Sequence, residues 1–466
     1  MTRQILIAVA SLLFIACNNA DKNDEGREVK TYSIEQFYKS VDSYNGGISS
    51  DDEELLITSN ETGIYNVYKI NLATGNREQL TQSTKESFFA NGFVPGTRHF
   101  IYSADKGGDE NTHLFLRKTD GSVRDLTPGD NVKANFWKWN ETGTHLYFTS
   151  NKRNPQFFDL YKMDTVSWTP VLIYENNSGL DPGSISRDDR YITLTQFVTT
   201  SWINQILLDQ QTGKTVYINT DSIESRTSSE GFSVDGKYLY YTSDEGGEFS
   251  YAGRYEIATG KKEKIYEDKW DVAGVAVSHN GKYRIVYVNV DGSNQLHLFD
   301  NETGKELEFP AIKDGGIISA NISRSEKKMI LYVGSSRSPG NLFSYDIASK
   351  ELKQLTNALN PEIDVNDLVS AEVVRYKSFD GLEIPAIFYK PHQASSSNKV
   401  PAVVMVHGGP GGQAGAFYFP LIQYLVNKGY AILDVNNRGS SGYGKTFFKM
   451  DDRNHGDKDL KDVVWG

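Results

Sequence analysis

One motif recurs seven times along this chain at nearly constant spacing, and it restricts the possible folds more than any other feature. Each copy is a small or polar turn followed by an alternating apolar strand, clearest in FSVDGKYLYYTS (232–243). Its relatives are ISSDDEELLITS (48–59), FVPGTRHFIYSA (93–104), WNETGTHLYFTS (139–150), ISRDDRYITLTQ (185–196), VSHNGKYRIVYV (277–288) and ISRSEKKMILYV (322–333). With the turns placed at Asp52, Gly96, Gly143, Asp189, Gly236, Gly281 and Glu326, the intervals are 44, 47, 46, 47, 45 and 45 residues. A second pattern follows five of the copies: a hairpin such as NVYKINLATGNREQLT (66–81) or RYEIATGKKEKIY (254–266), with Thr-Gly or Asp-Gly at several tips to supply the positive φ of a tight turn. Each unit thus holds about four short strands in about 45 residues, the size of a propeller blade. Such units cannot bury their faces alone and must stack. The expectation is a seven-bladed β-propeller, with a β-solenoid or sandwich array as the alternative. The strand aromatics then belong to the packing between blades.

The amino terminus carries a different signal. Arg3 precedes the run 5–16, apolar except for Ser11, and the only cysteine, Cys17, closes it. A basic start and a short apolar segment read as a secretory signal peptide over 1–16, too short to span a bilayer. Phe14-Ile15-Ala16-Cys17 resembles a bacterial lipobox, with Phe14 where leucine is usual, which makes Cys17 the expected lipidation site. An ordinary signal peptide with an incidental cysteine is the alternative. Residues 18–28 are polar and charged, which suits a tether, assigned here to 17–35. The expected location is extracytoplasmic, in a bacterial cell envelope, anchored to the membrane by lipid. A net charge of −11 with no Lys/Arg cluster argues against a nucleic-acid partner.

Near residue 370 the pattern changes. Residues 373–391 read as a hairpin turned at Asp380-Gly381, and 400–406 as a strand buried on both faces of a parallel sheet. Helical spacing follows over 416–427, with Gly429 as its stop, and 430–435 is the next strand. This βαβ unit places the glycine loop 408–412 at a strand's C-terminal end, where ligands bind in open α/β sheets. The loop fails the spacing of a dinucleotide fingerprint, since Gly409 and Gly411 are followed by Ala414. Asp451, Asp452, Asp457, Asp459 and Asp462 read as a solvated face around a last helix. No metal site or cofactor is expected, because no H-E-x-x-H or paired His/Cys is present.

These residues carry a resemblance. His407-Gly408-Gly409-Pro410, then Asn437-Arg438-Gly439-Ser440-Ser441-Gly442-Tyr443-Gly444, then Gly456-Asp457 and Asp462, resemble the prolyl oligopeptidase (S9) family of serine peptidases, most of all its bacterial acylaminoacyl-peptidase and dipeptidyl-peptidase-like branch. The repeats likewise resemble TolB-type propellers and those of this family. The resemblance implies a propeller over 36–366, a peptidase domain beginning in 367–466, and short peptides as substrates. It also implies that the Gly409 N–H, with Gly408 shaping the approach, donates to the oxyanion of acyl transfer. His407, Pro410, Arg438 and Gly439 then shape the loops. His407 comes too early in chain order to be the triad histidine. For Arg438, a loop-fixing role and a plain surface ion pair stay equally open.

No Gly-x-Ser-x-Gly occurs in the 466 residues. An α/β-hydrolase domain needs roughly 200 residues or more, and fewer than half of these follow Ala371. The expectation is therefore a fragment that lacks its triad and is inactive as it stands. A propeller binding protein with a vestigial hydrolase stub, and an esterase on the same scaffold, are the other readings. The one Glu-Glu pair, Glu53-Glu54, lies in a repeat strand rather than in an insertion, which mildly favours endo- or acylaminoacyl-type over dipeptidyl specificity.

Overall fold

The computed structural model describes residues 27–466 except 314 and 410. The expected signal segment 1–16, Cys17 and Pro410 lie outside the described residues. Seven four-stranded antiparallel sheets follow in chain order, each with its strands in sequential order. They are β1–β4 (43–79), β5–β8 (89–125), β9–β12 (134–174), β13–β16 (181–217), β17–β20 (227–266), β21–β24 (271–307) and β25–β28 (316–354). These are the seven blades expected from the repeat.

Apolar clusters between successive blades make the ring. Leu56, Val67, Phe93 and Phe100 join blades 1 and 2. Leu114 and Leu116 meet Leu146 and Phe148 between blades 2 and 3. Comparable clusters join 3 to 4, 4 to 5, 5 to 6 and 6 to 7. The ring closes where Leu55, Ile57 and Ile70 of blade 1 pack on Ile330 and Leu342 of blade 7. Closure is by side-chain packing, since each of these two blades contains only strands from its own end of the ring.

All seven turns marked by the repeat have positive φ, between 59° and 82°. Four are glycine. In the three that are acidic, the side chain reaches the preceding blade around the ring. Asp52 accepts from Ser325 of blade 7, and Asp189 accepts from Tyr147 and, at 3.0 Å, from Lys162 of blade 3. Glu326 accepts from Ser278 and from the backbone N–H groups of Asn280 (2.7 Å) and Lys282 (3.3 Å) in blade 6. A left-handed conformation that disfavours side chains is retained there because the acid ties two blades together. Glu326 is 8% exposed. Glu326→Ala strands two backbone donors and is expected to destabilise the propeller by about 2–3 kcal/mol. Glu326→Gln, which keeps an acceptor, should lose less; urea unfolding of the two variants measures the difference.

Beyond the propeller, β29 (Glu372–Lys377) and β30 (Glu383–Tyr389) form the expected hairpin, with Gly381 at φ 85°. β31 (Ala402–Val406) runs parallel to β32 (Ala431–Val435), and the sheet order is β29-β30-β32-β31. The connecting helix spans Pro420–Asn427 rather than 416–427, because Pro420 enters at its first turn with Phe419 as N-cap. Short helices follow at Lys445–Lys449 and Lys458–Trp465. Ile387, Tyr389, Ile422, Val426 and Ile432 build the core of this part. Among the described residues, no helix is long and apolar enough to cross a membrane.

The tether assigned to 17–35 is corrected at its end. Ser33 and Gln36 form a capping box that starts the helix Ile34–Tyr38. Tyr32 is 1% and Phe37 0% exposed. Phe37 meets Tyr424 of the Pro420–Asn427 helix, and Asn427 holds the backbone of Lys30 and Tyr32 at 2.9 and 3.0 Å. Two aromatics at this spacing bury too much apolar surface for the segment to stay solvated.

Candidate active site

The loop that follows β31 leaves the C-terminal end of a parallel strand, as expected. Gly409 has φ 113°, a conformation reserved for glycine, and both Gly408 and Gly409 are exposed. Its neighbours hold the loop. Ser441 N–H donates to the Gly412 carbonyl at 3.0 Å. Asn436 accepts from Ala414 N–H at 2.7 Å and donates to the Ala414 carbonyl at 3.0 Å. His407 Nε2 lies 2.8 Å from Ser440 Oγ and its Nδ1 3.1 Å from the Gly408 carbonyl. That histidine therefore spans the two glycine-rich loops, 407–412 and 437–444.

Arg438 is 4% exposed, and the surface ion pair left open by the sequence is not what the structure contains. Its Nε and Nη2 donate to both oxygens of Asp462 at 2.8 Å, and its backbone N–H reaches the same carboxylate at 3.0 Å. Nη1 and Nη2 also form a fork on Asp380, at 2.9 and 3.0 Å. Ser378 Oγ completes the Asp462 shell. Arg438 thus fastens the β29–β30 turn, the 437–444 loop and the final helix at one point. Asp462 and then Asp380 raise the guanidinium above its ordinary value. The solvated acidic face expected over 451–462 is corrected by this contact. Asp462 is 0% exposed, and Asp451 and Asp459 are 6% exposed each, because the final helix turns them inward beneath the loop. Gly439 permits that approach: a Cβ there would stand 2.4 Å from Asp451 Cβ.

The 437–444 loop borders a cavity of about 480 Å³ between the propeller and the α/β part. Phe197, Arg226, Glu230 and Asp271 line it from the propeller, and Ser441, Lys445 and Phe448 from the α/β part. Gly411 abuts the Phe448 ring, which brings the 407–412 loop against the cavity wall. Arg226 lies over that ring, 4.9 Å from its centroid. Glu230 is held by Thr242 Oγ1 (3.0 Å) and Val275 N–H (3.2 Å), and burial pushes its carboxyl up. A basic helix edge clamps the two parts together. Lys445 pairs with Asp244 at 3.1 Å, Lys449 with Glu224 at 2.5 Å, and Thr446 binds Glu248 through its N–H and hydroxyl at 2.7 Å. Sequence reading missed this clamp because nothing local marks residues some 200 positions apart as partners.

Glu230 also lines a smaller space, about 230 Å³, farther along the propeller axis. Turns of four blades close its far end. Glu141 of blade 3 pairs with Arg187 of blade 4 (3.2 Å) and His279 of blade 6 (3.1 Å), and Arg324 of blade 7 donates to the Glu141 carbonyl. These turns join the first and second strands of their blades. They therefore face away from the second-to-third-strand loops that carry Glu248, Asp291 and Ser336 to the α/β part. Lys138 is half-buried beside this cluster, and desolvation lowers its ammonium's pKa.

Comparison with known proteins agrees with this arrangement. The prolyl oligopeptidase N-terminal beta-propeller domain matches residues 87–358, and the prolyl oligopeptidase family domain matches 417–466. The chain belongs to the prolyl oligopeptidase family. It is 28% identical to dipeptidyl aminopeptidase BIII of Pseudoxanthomonas mexicana over 421 residues, which cover 86% of this chain and 60% of that protein. It is 36% identical to the human acylamino-acid-releasing enzyme over 85 residues, 18% of this chain and 12% of that one. A crystal structure of puromycin hydrolase shares the fold with a TM-score of 0.74 at 16% identity, covering 95% of this chain and 74% of that one. The chain thus spans about 60% of the length of the dipeptidyl aminopeptidase it matches.

Proposed function

We propose that this chain provides the propeller and the oxyanion loop of a serine peptidase that cleaves short peptides. The observation that carries the reading is the placement of Gly409, at the C-terminal end of β31 and in the loop whose Gly411 abuts Phe448 of the cavity wall. A backbone N–H there can meet the charge that develops on a carbonyl oxygen as a serine attacks. The clamp and the closed far end of the propeller axis leave the boundary between the two parts as the approach for substrate, which suits short peptides. β31 has no partner on its outer edge among the described residues, and Val404 and Val406 are 42% and 52% exposed. An apolar parallel strand left open at one edge is where a further strand, carrying the nucleophile turn, would add. The same open edge counts against a self-sufficient propeller binding protein.

The 466 residues contain no nucleophile motif, so by themselves they are expected to be inactive. Labelling of this chain by a serine-directed fluorophosphonate would refute that. Lipidation at Cys17 and a cell-envelope location belong to the same proposal; palmitate incorporation lost in Cys17→Ser is the test. Comparing a peptide anilide with its ester distinguishes a peptidase from an esterase.

The cavity bears on specificity. Glu53 and Glu54 pair with Arg98 and Lys69 at the propeller face turned away from the α/β part, out of reach of the cavity. Asp244 is paired with Lys445, but Glu230 and Asp271 face the cavity with no ion pair among the described residues. That favours a substrate with a free amino terminus, against the mild preference drawn from sequence. Dipeptidyl anilides should be cleaved faster by the complete enzyme than their N-acetylated forms; equal or reversed rates would remove this reading.

A further inference from the structure

We propose that Asp451, His455 and Asp459 form a site for a divalent transition-metal ion of the zinc type, which locks the 451–459 segment beneath the 437–444 loop. One nitrogen or oxygen from each residue lies within 4.8 Å of the others. His455 Nδ1 is 2.8 Å from Asp459 Oδ2 and 3.3 Å from Asp451 Oδ2. The three lie four residues apart where the chain turns into the final helix, with Arg453 and Gly456 at positive φ between them.

The second observation concerns the carboxylates. Both are 94% buried, taken from 6% exposure each, and the Oδ1 of each has no hydrogen-bond partner among the described residues. Asp462, one turn further on, shows how this fold treats a buried carboxylate that is complete in itself. Four donors cover its two oxygens: the Arg438 backbone N–H, Nε and Nη2, and the Ser378 hydroxyl. Asp459 has the His455 imidazole and the backbone N–H groups of Gly456 and Leu460, whereas Asp451 has the shared imidazole alone among the described residues. Two buried carboxylates that share one imidazole, each with an unpartnered oxygen, make room for a cation.

Ligand chemistry selects the kind of ion. Two carboxylate oxygens and one imidazole nitrogen suit Zn²⁺ or Co²⁺, with solvent as a further ligand. They are too few oxygens for Ca²⁺, and Mg²⁺ seldom takes a histidine. The His455 side chain is 67% exposed, so the ion has a way in. Asp451 packs directly under Gly439, so the ion's effect passes to the loop that carries Arg438. Its role is structural and enters no step of the proposed reaction.

The test uses the untagged 466-residue chain, stripped of metal and titrated with Zn²⁺ by calorimetry, and with Co²⁺ by visible absorption. About one equivalent should bind, with a rise in thermal midpoint and, for Co²⁺, the visible bands of a site with few ligands. His455→Ala, at an exposed side chain, should fold normally and lose the binding, the bands and the rise. Asp459→Asn should weaken uptake at least tenfold. Absence of saturable uptake, or uptake equal in His455→Ala, overturns the proposal. So does a stabilising Asp451→Asn with no metal effect in the parent chain, which would mean that a shared proton satisfies the pair. None of these readouts depends on peptidase activity, so the site can fail while the functional reading stands.

Discussion

Arg438→Met will loosen the α/β part while leaving the propeller folded. The substitution keeps most of the side-chain volume and removes the charge that Asp462 and Asp380 share. Asp462 is fully buried, so it is left as an uncompensated carboxylate, an outcome that costs about 3–5 kcal/mol. The loss should be local, because Arg438 joins the β29–β30 turn, the 437–444 loop and the final helix and has no hydrogen bond or ion pair to a blade among the described residues. Hydrogen exchange should rise across β29–β32 and stay unchanged in β1–β28. Arg438→Met combined with Asp462→Leu should recover part of the loss, because no buried charge remains. If the single variant exchanges like the parent, the network is not what holds these loops.

The second large effect concerns chemistry. In the complete enzyme, Gly409→Ala should lower kcat by about 10²–10³, or about 3–4 kcal/mol of barrier, with little change in KM. The reason is conformational. At φ 113° an L-residue is strained, and a Cβ would stand 3.3 Å from Gly412 N, so the peptide must turn and its N–H must leave the oxyanion position. A ground-state carbonyl feels this less than the developing oxyanion does, hence the separation of kcat from KM. A parallel fall in binding would indicate a collapsed loop rather than a lost donor. Gly408→Ala is the useful control: its φ is not positive, and a Cβ there meets nothing within 4 Å.

Most of the propeller was legible because its rules are local. Turn residues at fixed intervals and period-two strands specify a blade without reference to the rest of the chain. The outer hairpins of blades 3 and 4 were not recognised. In blade 3 the tip is formed by Trp168 at φ 54° rather than by glycine, so composition gives no turn signal. Blade 4 does carry Thr212-Gly213 between strands of seven and three residues, no more unequal than the nine and three of blade 7, so its hairpin was as legible as the others. The βαβ unit and its glycine loop were equally local. What could not be read was everything made by distant pairs. Examples are Arg438 with Asp462, Lys445 with Asp244, the Glu141 cluster, and Tyr32 against the Pro420–Asn427 helix. The acidic run 451–462 was misread for the same reason. Its charges look solvated in sequence, and only the position of the final helix turns three of them inward.

Fluorophosphonate labelling of the product of the gene's complete reading frame, beside the 466-residue chain, tests the central claim most directly. The account predicts a labelled serine within a Gly-x-Ser-x-Gly in the complete product, labelling that weakens in Gly409→Ala, and no labelling of the 466-residue chain. A complete product that takes up no label, while its propeller is folded, would contradict the account.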